Sequence, residues 1–231
     1  MEHGFTWYQL IPGLSQIPHW VVGSFIVFVI LSIFSLLFNR QLKNGKSIII
    51  PERSFSLLTF FDVSVEKLLN LSESVMGKNG KKFFPLLGAL FIYIFVSNVL
   101  GLVPGFLPPT NNLNTNLACS LTVFLFYNYQ GLKEHGLSYL KHFMGPVIWL
   151  APIMVVIELV SHIVRPLSLS IRLFGNINGD HLVLGIFSSL MPVGIPIIFL
   201  FLGLFVSFIQ AFVFTLLSMV YISLATAHEE H

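Results

Sequence analysis

Residues 158 to 181 read Glu158-Leu-Val-Ser161-His162-Ile-Val-Arg165-Pro166-Leu-Ser168-Leu169-Ser170-Ile-Arg172-Leu-Phe-Gly175-Asn176-Ile-Asn-Gly179-Asp180-His181. This stretch lies inside a continuous apolar run, from about residue 146 to 190, yet it keeps Glu158, His162, Arg165, Arg172, Asp180 and His181. An ionisable side chain in the middle of a bilayer costs on the order of 2.5 to 3.5 kcal/mol on insertion scales. Six on one segment therefore need a reason, and the rest of the chain supplies the setting.

The 231 residues are 55% hydrophobic and 10% charged, with a mean hydropathy of +0.85, where an average soluble domain carries about 25% charge. So little charge cannot cover a soluble surface, and 24 Phe, six Tyr and three Trp cannot make a disordered chain. These figures exclude a soluble enzyme, a nucleic-acid binder and a disordered tail; the expected partner is a lipid bilayer. One cysteine, Cys119, allows no internal disulfide. There is no CxxC or Cys/His cluster, so neither a metal nor a cofactor is expected.

Apolar runs fall at about 20 to 38, 83 to 103, 115 to 130, 146 to 190 and 196 to 227. The first three suit single crossings of roughly 20 residues. It follows no basic n-region, since residues 1 to 39 contain no Lys or Arg, so the first run reads as a retained helix and not a signal peptide. The last two are too long for an upright crossing and predict either steep tilt or a broken fourth run. Met191-Pro192-Val193-Gly194-Ile195-Pro196 is a turn signal between them, and Pro166 is placed to kink the first.

Basic residues then orient the spans. Residues 39 to 82 hold eight Lys/Arg, and 131 to 142 hold Lys133 and Lys141, whereas 1 to 19, 104 to 116 and 191 to 196 hold none. Five crossings fit, with the N-terminus outside and the basic loops and C-terminus in the cytoplasm. The tail His228-Glu229-Glu230-His231 has no Lys or Arg, so charge alone leaves a six-crossing alternative open. The organisation expected is a single membrane domain over 1–231. It comprises a first span (20–38), a cytoplasmic loop with an amphipathic helix (39–82), a helical hairpin (83–130) and a tilted hairpin carrying an ion path (146–227). Phe61, Val65, Leu68, Leu69, Val75 and Met76 recur at helical spacing in the loop, fitting an interfacial helix that anchors to lipid or docks a partner subunit.

On a helix, steps of three and four keep side chains on one face. Glu158, His162, Arg165, Leu169, Arg172, Asn176 and Asp180 follow such steps, forming a polar stripe interrupted once by leucine. It must face protein or a water-filled cavity. Carboxylates and imidazoles exchange protons, while a guanidinium effectively never does. Arg172, between titratable groups on either side, suits a fixed charge that blocks direct passage and stabilises a carboxylate brought beside it. No mobile carboxylate fits that role within this chain, so a partner must carry it. A single Glu158 to Arg165 pair could be purely structural, but six ionisable groups on one helix favour transport. Ser161, Ser168 and Ser170 read as packing or backbone-bonding residues, and Gly175 and Gly179 as a close-packing pair. Gln210, on a face with Ser207, Phe214, Leu217 and Tyr221, can bond across the hairpin, either orienting the stripe or gluing the helices.

The stretch from Pro166 to Asn176 closely resembles the subunit a family of F-type ATP synthases, the stator of their membrane motor. So do Ser97-Asn98-Val-Leu-Gly-Leu-Val-Pro104-Gly105, Pro109-Thr110-Asn-Asn-Leu-Asn114-Thr115, Ile209-Gln210-Ala-Phe-Val-Phe214 and Val220-Tyr221-Ile222. The resemblance covers the chain from about residue 83 onward. It implies an all-α polytopic membrane protein with one N-terminal span, an interfacial amphipathic helix, a two-helix hairpin and two long, strongly tilted helices, five crossings and not six. It also implies a non-catalytic role: passing protons through two offset half-channels to and from a ring of c subunits, beside peripheral stalk b subunits, in a bacterial inner membrane. Arg172 matches the family's essential arginine. Asn176, His181 and Gln210 match the half-channel open to the outside, with Asp180 beside His181, where relatives often have glutamate. Glu158 matches an acidic position near the cytoplasmic half-channel, and His162 lies one turn from it. Where some relatives have an outer-loop aspartate this chain has Asn112, which is expected to take no relay role. A stand-alone proton channel or secondary transporter is the alternative; its expected inverted repeats and paired broken helices are not found. The choice between H⁺ and Na⁺ depends on the ring's carboxylate and is not written in this sequence.

Overall fold

In the computed structural model, residues 17–43, 57–103, 105–136, 151–190 and 194–226 are described, and every regular element among them is helical. These are α1 (His19–Lys43), α2 (Leu57–Met76), α3 (Gly80–Leu100), α4 (Leu113–His135), α5 (Ala151–Leu190) and α6 (Ile195–Thr226), with short 3-10 turns at Gly77–Asn79 and Pro109–Asn111. Expectations concerning the N-terminal 16 residues, the basic stretch 44–56, Pro104, residues 137–150, residues 191–193 and the tail from 227 fall outside the described residues. By length and composition, α1, α3, α5 and α6 are apolar enough to cross a membrane. The chain is a multi-pass membrane protein.

The described residues form two compact units, 1–109 and 110–231. In the first, α1 and α2 each pack against α3. Tyr93 Oη donates to Ser24 Oγ at 3.2 Å, linking α3 to α1, and Val27, Leu87 and Ile94 are fully buried. The amphipathic stretch read from the sequence is α2. Ser72 and Met76 are buried on it, while Val63 and Val65 are exposed. Ser72 Oγ donates to the Gly80 carbonyl at 3.1 Å, and a Cβ on Gly80 would stand 2.7 Å from the Ser72 carbonyl carbon and oxygen. The turn between the helices runs through Gly77, at φ +60°, a conformation that costs glycine little.

The second unit holds the polar helix. α4 packs against both α5 and α6, which also pack against each other. Lipid is as apolar as leucine, so these helices associate through close packing and polar contacts more than through the hydrophobic effect. Their buried faces suit that: Thr115, Asn116, Ser120 and Gln130 on α4, Ser170 on α5, and Ser207, Gln210, Ala211, Thr215 and Ser218 on α6. Ser120 Oγ meets Ser170 Oγ at 2.6 Å. Its inward-turned amides and hydroxyls make α4 too polar to count among the apolar spans by composition, although the sequence places a crossing there. Asn112 Oδ1 accepts the Asn114 N–H at 2.9 Å and caps the start of α4.

α5 is a single helix of 40 residues, about 60 Å long at 1.5 Å per residue, so the described part of the fourth run is unbroken. It continues through Pro166, where Ser170 Oγ donates to the Pro166 carbonyl at 2.8 Å. α5 ends at Leu190 and α6 starts at Ile195 with Pro196 in its first turn, a position where the missing N–H is harmless. Phe187 and Phe199 stack at 4.6 Å beside this connection.

The Gly80 seat is testable. Gly80→Ala should destabilise the folded chain by about 1 to 3 kcal/mol, the cost of overpacking a tight contact. Gly185→Ala, whose Cβ meets nothing within 4 Å, should be neutral or stabilising by up to about 1 kcal/mol. Thermal melting in detergent micelles compares them; equal melting temperatures would unseat α2 from α3.

Candidate functional site

The face of α5 that packs inward is centred on Pro166, Leu169, Ser170, Leu173 and Ile177, all buried. The polar stripe runs along its margin. His162 is 8% exposed, Glu158, Arg165, Arg172, Asp180 and His181 are half-buried, and Asn176 is exposed at its edge. Leu169 interrupts the stripe because it sits at the packed centre, 2% exposed. Charged groups at such a margin keep an open side while their stems pack on protein.

The N-terminal part of the stripe forms a connected cluster. Glu158 Oε1 lies 3.6 Å from Arg165 Nη2 and 3.7 Å from His162 Nδ1. His162 Nε2 lies 3.3 Å from Asn128 Oδ1 on α4. The rings of Phe124 and Tyr127 meet the imidazole edge-on at 6.0 and 5.5 Å. The Arg165 guanidinium lies over the Tyr221 ring of α6, 5.5 Å from its centroid, a cation–π contact that offsets part of the cost of its burial. Three helices thus converge on one carboxylate and one imidazole.

The C-terminal part is sparser. Asn176 Nδ2 donates to Gln210 Oε1 on α6 at 2.6 Å, so Gln210 makes the cross-hairpin bond expected of it. Asp180 lies one turn beyond Asn176 on the same face. His181 points roughly 100° around the helix from it, at 3.6 residues per turn. Between the two parts stands Arg172, about 10 Å along the axis from Arg165 and about 12 Å from Asp180, from their residue separations at 1.5 Å each. Among the described residues, no hydrogen bond or ion pair engages its guanidinium. The stripe therefore consists of a paired titratable cluster, an unengaged cation and a second, more open titratable cluster. Carboxylates and imidazoles are proton-exchanging groups by chemistry, and a guanidinium effectively is not. Among the described residues, no three His, Cys, Asp or Glu side chains gather as a metal cage.

All seven site residues read from the sequence lie in this unit, six on α5 and Gln210 on α6. Sequence reasoning missed Asn128 and the Tyr127–Tyr221 pair, whose ring centroids lie 6.3 Å apart. The sequence puts Tyr221 on the Gln210 face, but helical spacing within one segment cannot say which residue of another helix it meets. The capping role of Asn112 was legible in principle, since asparagine just before an apolar periodic run is a helix-start signal.

Comparison with known proteins places the chain in a family. The family profile described as ATP synthase A chain matches residues 21–223. The chain is similar to the ATP synthase subunit a of Bdellovibrio bacteriovorus, 46% identical over 226 residues that cover 97% of this chain and 99% of that one. It is also similar to those of Trichlorobacter lovleyi, at 49%, and Geobacter sulfurreducens, at 48%, each over 90% of this chain and 88% of theirs. A membrane chain with a long apolar helix that carries Glu158, Arg165, Arg172 and Asp180, matched along nearly its whole length, belongs to the ATP synthase subunit a family.

Proposed function

We propose that the chain is the proton-translocating stator subunit of a rotary ATP synthase in a bacterial inner membrane, itself non-catalytic, coupling proton flow to rotation of a ring of c subunits. The observation that supports this most strongly is Arg172, engaged by no hydrogen bond or ion pair among the described residues, between titratable groups on either side along one helix. Asn176, Gln210, Asp180 and His181 line the half-channel open to the outside. Glu158 and His162 line the one open to the cytoplasm. A proton enters from outside, joins a ring carboxylate, travels with the ring, and leaves through the inner cluster. As each ionised ring carboxylate passes Arg172, the guanidinium stabilises its charge and keeps protons from crossing directly. The transmembrane potential supplies about 2.3 kcal/mol per charge per 100 mV.

Helix length supports the geometry. About 60 Å of largely apolar α5 stays within a hydrocarbon layer of about 30 Å only if steeply inclined. An inclined helix can present its two ends to opposite sides while its middle meets the ring. In this reading α4 also crosses, bringing the crossings to five, its polar side sheltered by α5 and α6; the N-terminus is outside, and the C-terminus and basic loops are cytoplasmic. Peripheral stalk b subunits hold the chain against the turning ring.

Three measurements on the assembled ATP synthase in liposomes test the reading. Arg172→Ala should abolish ATP-driven proton pumping while the complex still assembles; coupled pumping at normal rate would sink the mechanism. His181→Ala should slow proton flux by up to about 100-fold, within the range for losing a positioned proton-transfer group, and flatten its dependence between about pH 5 and 8. An unaltered pH profile removes His181 from the path. Asn176→Leu and Gln210→Leu should each slow flux, and the double variant should be little worse than either, with a coupling energy of up to about 1.7 kcal/mol. Simple additivity would mean that the two side chains act on flux independently of their hydrogen bond.

A further inference from the structure

We infer that Asn128 of α4 is a positioning residue that holds His162 in its Nε2–H tautomer, so that Nδ1 is the atom that exchanges protons with Glu158. This rests on the reading of Glu158 and His162 as the inner proton path.

Asn128 Nδ2 donates to the carbonyl of Phe124, one turn earlier on α4, at 2.8 Å. A carbonyl can only accept, so this bond settles which end of the side-chain amide is nitrogen. The other end, Oδ1, is the one 3.3 Å from His162 Nε2. An oxygen acceptor there calls for an N–H, so in the neutral imidazole the proton is on Nε2 and Nδ1 carries the lone pair. Nδ1 is the nitrogen turned to Glu158 Oε1, 3.7 Å away.

The rest of the pocket reinforces this orientation. Phe124 and Tyr127 stand edge-on to the imidazole at 75° and 70°, confining the ring from the α4 side. The titratable and charged groups around it are Tyr127 from α4, Glu158 and Arg165 from α5 itself, and Tyr221 from α6, which lies under Arg165. Of these, Glu158 is the carboxylate that faces Nδ1.

The transfer is a balanced exchange. In the forward direction the O–H bond of neutral Glu158 breaks as the Nδ1 lone pair takes the proton. This leaves a carboxylate beside Arg165 and an imidazolium whose Nε2–H still donates to Asn128. The reverse step restores both neutral groups. At 3.7 Å the pair is too far apart for a direct hydrogen bond, so a small side-chain adjustment or one bridging water completes the contact. With the opposite tautomer, Nδ1 would already hold a proton and could accept none from Glu158.

Solid-state NMR of the assembled ATP synthase, carrying ¹⁵N-histidine in this chain and reconstituted in liposomes, tests the tautomer at alkaline pH where the ring is neutral. The His162 signals are assigned by their loss in His162→Gln. The wild type should show protonated Nε2 and bare Nδ1, Asn128→Leu a mixture of tautomers, and Asn128→Asp, which keeps the acceptor, the single form. Passive proton flux should fall roughly two- to ten-fold in Asn128→Leu, in proportion to the competent fraction, with an altered pH profile that Asn128→Asp restores. A wild-type Nδ1–H tautomer overturns the inference, and so does an Asn128→Leu variant with unchanged spectrum and flux. Glu158→Gln with normal flux would instead overturn the inner path and the transfer step, while the spectrum still decides the tautomer independently.

Discussion

The cost of keeping charge in an apolar layer is the constraint on which the second unit is built. α5 carries every ionisable residue of the stripe, and each must either find a partner or face water. The buried surfaces of α4 and α6 answer that need: Asn128 meets His162, Tyr221 meets Arg165, and Gln210 meets Asn176. Where an ordinary membrane bundle would place leucine, this one places amides, hydroxyls and phenol rings. The same choice lowers the hydropathy of α4 below that of its neighbours. α4 is polar because α5 is charged.

Charge on α5 is also unevenly neutralised. Near its N-terminal end one carboxylate is shared between a guanidinium and an imidazole, and two aromatic rings close the space around them. Around Asn176 a single neutral hydrogen bond ties α5 to α6. Arg172, between them, has no counter-charge within reach among the described residues. Such a cation retains its full attraction for an incoming anion, whereas Arg165 has already spent much of its own on Glu158.

Much of this could be read from residue order. The stripe on α5, the turn near Gly194, the amphipathic α2 and the cross-hairpin use of Gln210 all follow from periodicity and from a few turn-forming residues. Their signals are local, within one segment or across one short turn. Whether the fourth run breaks near Pro166 is decided by packing and by no local rule, and α5 runs through it as one helix. Asn128 escaped notice because nothing in its own surroundings marks it. Its importance comes from His162, 34 residues later, and only the packing of α4 on α5 brings the two together. Ser120 against Ser170 is another pairing of this kind.

Gly175, Gly179 and Gly185 share one property: a Cβ on any of them would touch nothing within 4 Å. Among the described residues, these glycines make room for no neighbour. Around them Ile171, Phe174, Leu182 and Ile186 are exposed, so this side of α5 is apolar with shallow gaps. Deeply interlocked side chains would make each step past such a surface a climb out of one well and into the next. For the turning ring proposed above, gaps in place of knobs would lower those barriers, so the proposal gives α5 a second part, that of a bearing with low friction.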